Sequence, residues 1–274
     1  MNVAHVAKMP LVLLLAACSS AEGPAPAAES SKVTGSAGTS AASVESGAVA
    51  STLQMAPLQD GFKRFTVPAV DVPAGTTDDW IQWVSGPTDQ DYDVIALKGA
   101  QSKGGHHALM LSISEANEPG FTRKYTERDQ LTSSSLGGIG AEGDAQIPEG
   151  VVFRLRKGSY LAIQSHYLNV TDKDIKGETY IDIKLTPRDE KNTVAGHFAS
   201  TSLMIALPPK AETTQDVHCR VEQDLHILRM TNHMHYAGVS TFTEYTDPSG
   251  TTRMLKQDDM WSEDWALTPN YDNF

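Results

Sequence analysis

Three groups of histidines in this chain have spacings that suit a metal site. The first is Gly104-Gly105-His106-His107, in which two imidazoles are adjacent. Neighbouring side chains on a regular strand point to opposite faces of the sheet, so both can reach one metal only where the backbone is distorted. The two glycines supply the conformational freedom for that distortion. Two chance surface histidines are the alternative interpretation of the pair.

The other two groups lie further along the chain. His166 stands in the strand-like run Gln164-Ser165-His166-Tyr167. A lone strand histidine is more often a hydrogen-bonded core residue, so His166 is a metal candidate only as the third member of a set with the adjacent pair. In His233-Met234-His235 the two histidines share one face of a strand and converge without distortion. A solvent-facing chance pair is the alternative there.

These ligand types are compatible with copper. Imidazole suits both copper and zinc, and a thioether ligand would add softness that favours Cu(I). No carboxylate accompanies His233 and His235, although a zinc hydrolase would usually need one. Histidine-only sites also avoid thiolates, which oxidise during oxygen chemistry.

The elements that must position these histidines are predicted to be strands. Short apolar runs recur between Gly, Pro, Asp and Asn residues, and amphipathic helical stretches of useful length are missing from the pattern. The predicted strands are Trp80–Val84, Val94–Leu97, Ala108–Ile113, Val151–Leu155, Tyr160–Leu168, Thr179–Leu185, Ser202–Leu207 and Leu225–Met230. Many strands with irregular connections predict an all-β chain built from antiparallel β-sandwich (jelly-roll-like) domains.

Two such sandwiches are expected. Pro208-Pro209 marks a boundary between a first sandwich over 53–207 and a second over 208–274. The second segment is short for a two-sheet domain, so we expect it to be incomplete.

The N-terminus has the features of a bacterial lipoprotein signal. Lys8 precedes an apolar run, Leu11–Ala17, which is too short to span a bilayer. The run ends in Leu-Ala-Ala-Cys18, which predicts a signal peptide over 1–18 and lipidation of Cys18. Residues 19–52 are rich in Ala, Ser and Gly and predict a disordered tether. An ordinary secretory signal with a chance cysteine is the alternative.

These features predict an exported, lipid-anchored protein of a Gram-negative bacterium. Because Ser19 and not Asp follows the cysteine, we expect the anchor to lie in the outer membrane or on the cell surface. The membrane would be contacted only through the anchor. The chain carries 22 Lys and Arg against 34 Asp and Glu, a net charge of −12, which excludes an ordinary nucleic-acid binder.

The order of the motifs resembles a known family. The adjacent pair is followed about 60 residues later by Gln-x-His-Tyr, and Leu225-His226-Ile227-Leu228 leads seven residues later into His-x-His. This order, over roughly residues 60–274, resembles the copper type II, ascorbate-dependent monooxygenases, the family of peptidylglycine α-hydroxylating monooxygenase and dopamine β-monooxygenase.

The resemblance implies two copper ions. His106, His107 and His166 would hold the copper that transfers electrons, with Gln164 near it. His233 and His235, with a downstream Met, would hold the copper at which oxygen is activated. His226 matches a family histidine that does not bind metal directly.

The resemblance also implies features that would lie C-terminal to Phe274. The family's Met ligand follows the segment that Trp261–Phe274 resembles, whereas Met254 and Met260 precede it. The disulfide partner implied for Cys219 would lie in the same missing region, so we expect a truncated chain, which can be inactive for lack of the Met ligand. Thr231 stands where peptidylglycine enzymes have an Arg, so peptide amidation is not implied.

The resulting hypothesis is a copper-dependent monooxygenase that hydroxylates a C–H bond of a small organic substrate. It would use O2 and an external reductant such as ascorbate. The main alternative is a non-catalytic copper-binding lipoprotein of the cell surface that retains the fold. A third is a β-sandwich adhesion or scaffold module whose histidines are incidental.

Overall fold

The structure is a computed structural model that describes residues 53–140, 147–198, 200, 207–228, 230, 232, 234 and 238–259. Chain contacts divide these residues into two units. One unit comprises the described residues of 53–197 and 225–259 and contains all the regular elements. The described residues of the other unit, within 198–224, form neither strand nor helix.

The described chain is almost entirely β-structure, with one short helix, α1 (Glu127–Thr132). The strands, in chain order, are β1 (Lys63–Thr66), β2 (Val70–Val72), β3 (Thr77–Ser85), β4 (Tyr92–Gln101), β5 (Gly105–Ile113), β6 (Thr122–Lys124), β7 (Ser133–Gly140), β8 (Val151–Leu155), β9 (Tyr160–Leu168), β10 (Ile175–Gly177), β11 (Thr179–Pro187), β12 (Thr193–Ala195), β13 (Thr241–Thr246) and β14 (Thr252–Asp258).

Two five-stranded sheets form a β-sandwich, as predicted. Their strand orders are β1-β11-β4-β8-β12 and β6-β3-β9-β5-β7, and two-stranded sheets join β2 with β10 and β13 with β14. Neighbouring strands are antiparallel, except that β12 pairs with β8 in parallel. The main core contains side chains from both large sheets, including Val94 and Ile181 from one sheet and Met110 and Ile163 from the other. Burial of these apolar side chains between the sheets is the main driving force for the fold.

The second face of the β9 sheet carries its own buried cluster. Successive residues of a strand point to opposite faces. Ile163 of β9 therefore faces the main core, while Ala162 packs with Ile81 and Trp83 of β3 on the other face. By the same alternation, Gln164 and His166 lie on the face of Ala162. The candidate site therefore lies on the side of this sheet that faces away from the main core.

A buried aspartate links strands of the first sheet. Asp93 on β4 is fully buried and accepts hydrogen bonds from Arg154 Nε at 2.5 Å, Asn192 Nδ2 at 2.8 Å and the backbone N–H of Asp189 at 3.0 Å. A buried charge is tolerated when it is paired and hydrogen-bonded in this way. Asp93 thereby fixes β8 and the segment that leads into β12.

Six of the predicted strands are confirmed, and two of them, Val151–Leu155 and Tyr160–Leu168, have the predicted bounds. The prediction for Leu225–Met230 is wrong, because residues 225–228 and 230 form no strand. Ile227 and Leu228 there are 38% and 48% exposed, so this apolar run has no buried face to hold it in a sheet. Most of Ser202–Leu207 lies outside the described residues.

Within the part of the chain that the structure describes, no helix has the length and apolar character needed to cross a membrane.

Candidate metal centre

An irregularity at the start of β5 brings two adjacent histidines towards one site. In the pairing of β5 with β9, Gly105 lies opposite Tyr167, and His107 lies opposite His166. The register shift between these pairs leaves His106 as an extra residue in a β-bulge. Because a bulge breaks the alternation of side chains, His106 and His107 need not point to opposite faces. This is the distortion that the sequence predicted.

The two glycines before the pair have distinct roles. Gly104 has φ +84°, in the left-handed region that disfavours side chains, and a Cβ there would lie 2.4 Å from Ile175 Cδ1. A Cβ at Gly105 would lie 2.3 Å from the Cβ of Gln101. The chain crosses from β4 in one sheet to β5 in the other through only 102–104, and this close crossing excludes side chains at both glycines.

His166 completes a cluster of three imidazoles. It lies on β9, the central strand of its sheet, directly opposite His107. His106 is 5% exposed and His166 is 7% exposed, while His107 is half-buried. The site is therefore largely shielded from bulk water, and His107 is its most accessible residue.

The separations of the ring nitrogens suit a shared metal ion. One nitrogen from each of the three histidines lies within 4.8 Å of the others. His166 Nδ1 and His107 Nε2 are 3.1 Å apart. Metal–imidazole bonds of about 2.0–2.1 Å place ligand nitrogens roughly 3.3–3.6 Å from one another. The 3.1 Å separation is close to this range, whereas a separation of 4.8 Å exceeds it, so binding of one ion would require the rings to move closer together. Among the described residues, no other group of three His, Cys, Asp or Glu side chains converges in this way.

Two polar residues of β3, neither predicted from the sequence, extend the site. Thr77 Oγ1 lies 2.8 Å from His166 Nε2. Asp79 lies opposite His166 in the strand pairing, and its carboxylate accepts a hydrogen bond from Gln164 Nε2. Gln164, which the family resemblance placed near the site, is 2% exposed. A hydrogen bond of this kind fixes the orientation of both side chains beside the histidines.

The carboxyl group of Asp79 has an altered proton affinity. Burial raises its pKa from 3.8 to about 6, and the hydrogen bond from Gln164 opposes the rise. Desolvation disfavours the charged carboxylate and therefore favours the protonated form. Asp79 thus contributes less negative charge to the site than an exposed aspartate would.

Among the described residues, His226 and Cys219 are not part of this cluster. His233 and His235, predicted for a second copper, lie outside the described residues, as does Cys18, the predicted lipidation site. His226 is exposed and belongs to no strand. The Sγ atom of Cys219 lies 3.1 Å from Ser200 Oγ.

Comparison with models of known protein families found no match for this sequence. Comparison with curated proteins also found no match. The chemical interpretation of the chain therefore rests on its own residues. Of these, the described residues with metal-binding geometry are His106, His107 and His166.

Proposed function

We propose that this protein is a copper-dependent monooxygenase that hydroxylates a C–H bond of a small organic substrate with O2 and an external reductant such as ascorbate. The observation that supports the proposal is the convergence of His106, His107 and His166 on one shielded position of a β-sandwich. The motif order in the sequence, which resembles the copper type II monooxygenases, supplies the reaction class.

Copper is the metal that the resemblance favours, and the ligand set is compatible with it. Three neutral imidazoles suit copper and zinc about equally. Asp79, which lies opposite His166 on β3, accepts a hydrogen bond from Gln164. Bound copper would supply a one-electron redox centre. The protein would contribute three nitrogen ligands, and the burial of His106 and His166 would limit access of water to them.

A second copper would be held by His233 and His235. This assignment rests on the resemblance and on the i, i+2 spacing of the two residues. In the proposed division of roles, the three-histidine cluster stores an electron, and the His233/His235 pair serves the reaction with oxygen. Export and anchoring through Cys18 would place both sites outside the reducing cytoplasm.

Metal stoichiometry tests the first part of the proposal. We expect the wild-type protein to retain copper after dialysis, and His166→Ala to lose one copper per chain. His226→Ala is the matched control, because His226 is exposed and outside the cluster, and it should keep the wild-type content. Loss of copper from both variants, or from neither, would contradict the assignment. Retention of zinc in preference to Cu(I) would contradict the choice of metal.

Redox and oxygen measurements test the second part. The Cu(II) electron paramagnetic resonance signal of the three-histidine site should disappear on addition of ascorbate. In a protein that includes the Met ligand implied by the resemblance, consumption of O2 should then depend on both ascorbate and an oxidisable organic substrate, and it should be lost in His233→Ala. Copper that is reduced without any substrate-dependent O2 consumption would instead support a non-catalytic copper-binding protein.

A further inference from the structure

Thr77 makes two contacts that together constrain the proton on His166. Thr77 is the first residue of β3, and its Oγ1 lies 2.8 Å from His166 Nε2 and 3.3 Å from the backbone oxygen of Tyr167. His166 is 7% exposed and Tyr167 is fully buried. Both partners of the hydroxyl therefore belong to residues that water reaches poorly.

The number of protons limits the possible directions of these hydrogen bonds. A threonine hydroxyl has one proton to donate, and a carbonyl oxygen can only accept. When Thr77 donates its proton to the oxygen of Tyr167, its Oγ1 can interact with His166 Nε2 only as an acceptor. His166 Nε2 then carries the proton, and the neutral ring has its lone pair on Nδ1.

The position of Nδ1 agrees with this assignment. His166 Nδ1 is the atom that lies 3.1 Å from His107 Nε2, inside the cluster. A metal ligand must present a nitrogen lone pair, and the second ring nitrogen of such a histidine commonly donates to an oxygen that fixes the tautomer and the ring orientation. Thr77 Oγ1 occupies that place for His166.

We propose that Thr77 is a positioning residue that holds His166 in the Nε2–H tautomer and so directs its Nδ1 at the metal. The proposal rests on the proposed metal site, but it adds a residue that the histidine motifs did not reveal. Thr77 itself is exposed, so its hydroxyl can be removed with little disturbance of the core.

Two substitutions separate the hydroxyl from the rest of the side chain. Thr77→Val keeps the branched shape and removes Oγ1, whereas Thr77→Ser retains Oγ1. Thr76→Val is the matched control, since the Thr76 hydroxyl donates a hydrogen bond to the backbone oxygen of Pro73 and not to a histidine. Loss of such a supporting partner typically lowers metal affinity about 10- to 100-fold. Competition with a colorimetric Cu(I) chelator should show this loss in Thr77→Val, near-wild-type affinity in Thr77→Ser and no change in Thr76→Val.

A second readout requires no metal. Long-range ¹H–¹⁵N correlation spectra of the metal-free wild-type protein, labelled at histidine, should show His166 as the neutral Nε2–H tautomer. Thr77→Val should shift the ring towards a mixture of tautomers, while Thr77→Ser should not. A wild-type spectrum with the proton on Nδ1 would overturn the inference, and so would an unaltered spectrum in Thr77→Val.

The two proposals fail in different ways. If the wild-type protein binds no Cu(I), the proposed function is wrong, and the spectra alone decide whether Thr77 sets the tautomer. If the wild-type protein binds Cu(I) and Thr77→Val binds it equally well, the copper site stands and the role of Thr77 is refuted. If Thr77→Val does not fold, the tautomer of His166 in the wild-type spectrum alone tests the role of Thr77.

Discussion

Replacement of Asp79 by asparagine should change how the stability of the metal-free protein depends on pH. Asp79 lies on β3 beside the histidine cluster, and burial raises its pKa from 3.8 to about 6. In the unfolded chain the group ionises near its ordinary value. Between these two pKa values the folded state binds more protons than the unfolded state, so stability falls as pH rises. The contribution of Asp79 is complete below about pH 4 and is lost as pH rises through about 6.

The magnitude follows from the size of the shift. A difference of 6 − 3.8, about 2.2 pKa units, corresponds to about 3 kcal/mol at 1.36 kcal/mol per unit. This is an upper bound, because Asp79 retains some contact with solvent. Asp79→Asn removes the ionisation and keeps an oxygen that can accept the hydrogen bond from Gln164. The variant should therefore gain stability relative to wild type as pH rises, by at most about 3 kcal/mol between about pH 4 and pH 8.

Urea unfolding of both metal-free proteins across this pH range measures the difference directly. Comparison of the two proteins cancels the titration of every group that they share. Asp71→Asn is a suitable control, because Asp71 is 75% exposed, and it should not reproduce the rise. A difference between wild type and Asp79→Asn that is constant with pH, or that falls as pH rises, would refute the assigned burial of this carboxyl group.

Three further substitutions test the fold and the predicted anchor. Gly104→Ala should cost at least about 1–2 kcal/mol of stability and weaken metal binding, because residue 104 has a left-handed backbone and an added Cβ would meet Ile175. Unchanged urea unfolding and unchanged metal affinity would contradict this expectation. Asp93→Ala should cost about 3–5 kcal/mol in urea unfolding, since Arg154 loses its buried partner, and a cost below about 1 kcal/mol would be inconsistent with that role. Cys18→Ser should move the protein from the membrane fraction to the soluble fraction in the producing cells, and unchanged fractionation would contradict lipidation.

The strands that were predicted have a common physical basis. Val151–Leu155 and Tyr160–Leu168 are apolar runs bounded by residues that favour turns, and burial holds them in a sheet. The strand β7 was missed because Ser133–Gly140 is rich in serine and glycine, which have low strand propensity. Its two large apolar residues, Leu136 and Ile139, are buried in the main core between the sheets once β7 pairs with β5. That stabilisation comes from tertiary structure and leaves little trace in the local sequence.

The candidate site, like the strands, could be predicted only in part from the sequence. The convergence of His106 and His107 could be predicted, because two glycines precede them and a local distortion suffices. Thr77 and Asp79 could not be found in this way. They meet His166 across 89 and 87 residues of chain, and only through the register of β3 on β9. Register depends on the order of strands in the sheet, which a single sequence pattern does not specify.

Anomalous diffraction from crystals of the copper-loaded protein, recorded on both sides of the copper absorption edge, locates bound copper. If His106, His107 and His166 together hold copper, the maps should show a copper peak about 2.0 Å from one nitrogen of each of the three histidines, with Nδ1 as the ligand atom of His166. Uptake of copper without a peak among these three side chains would refute this metal site.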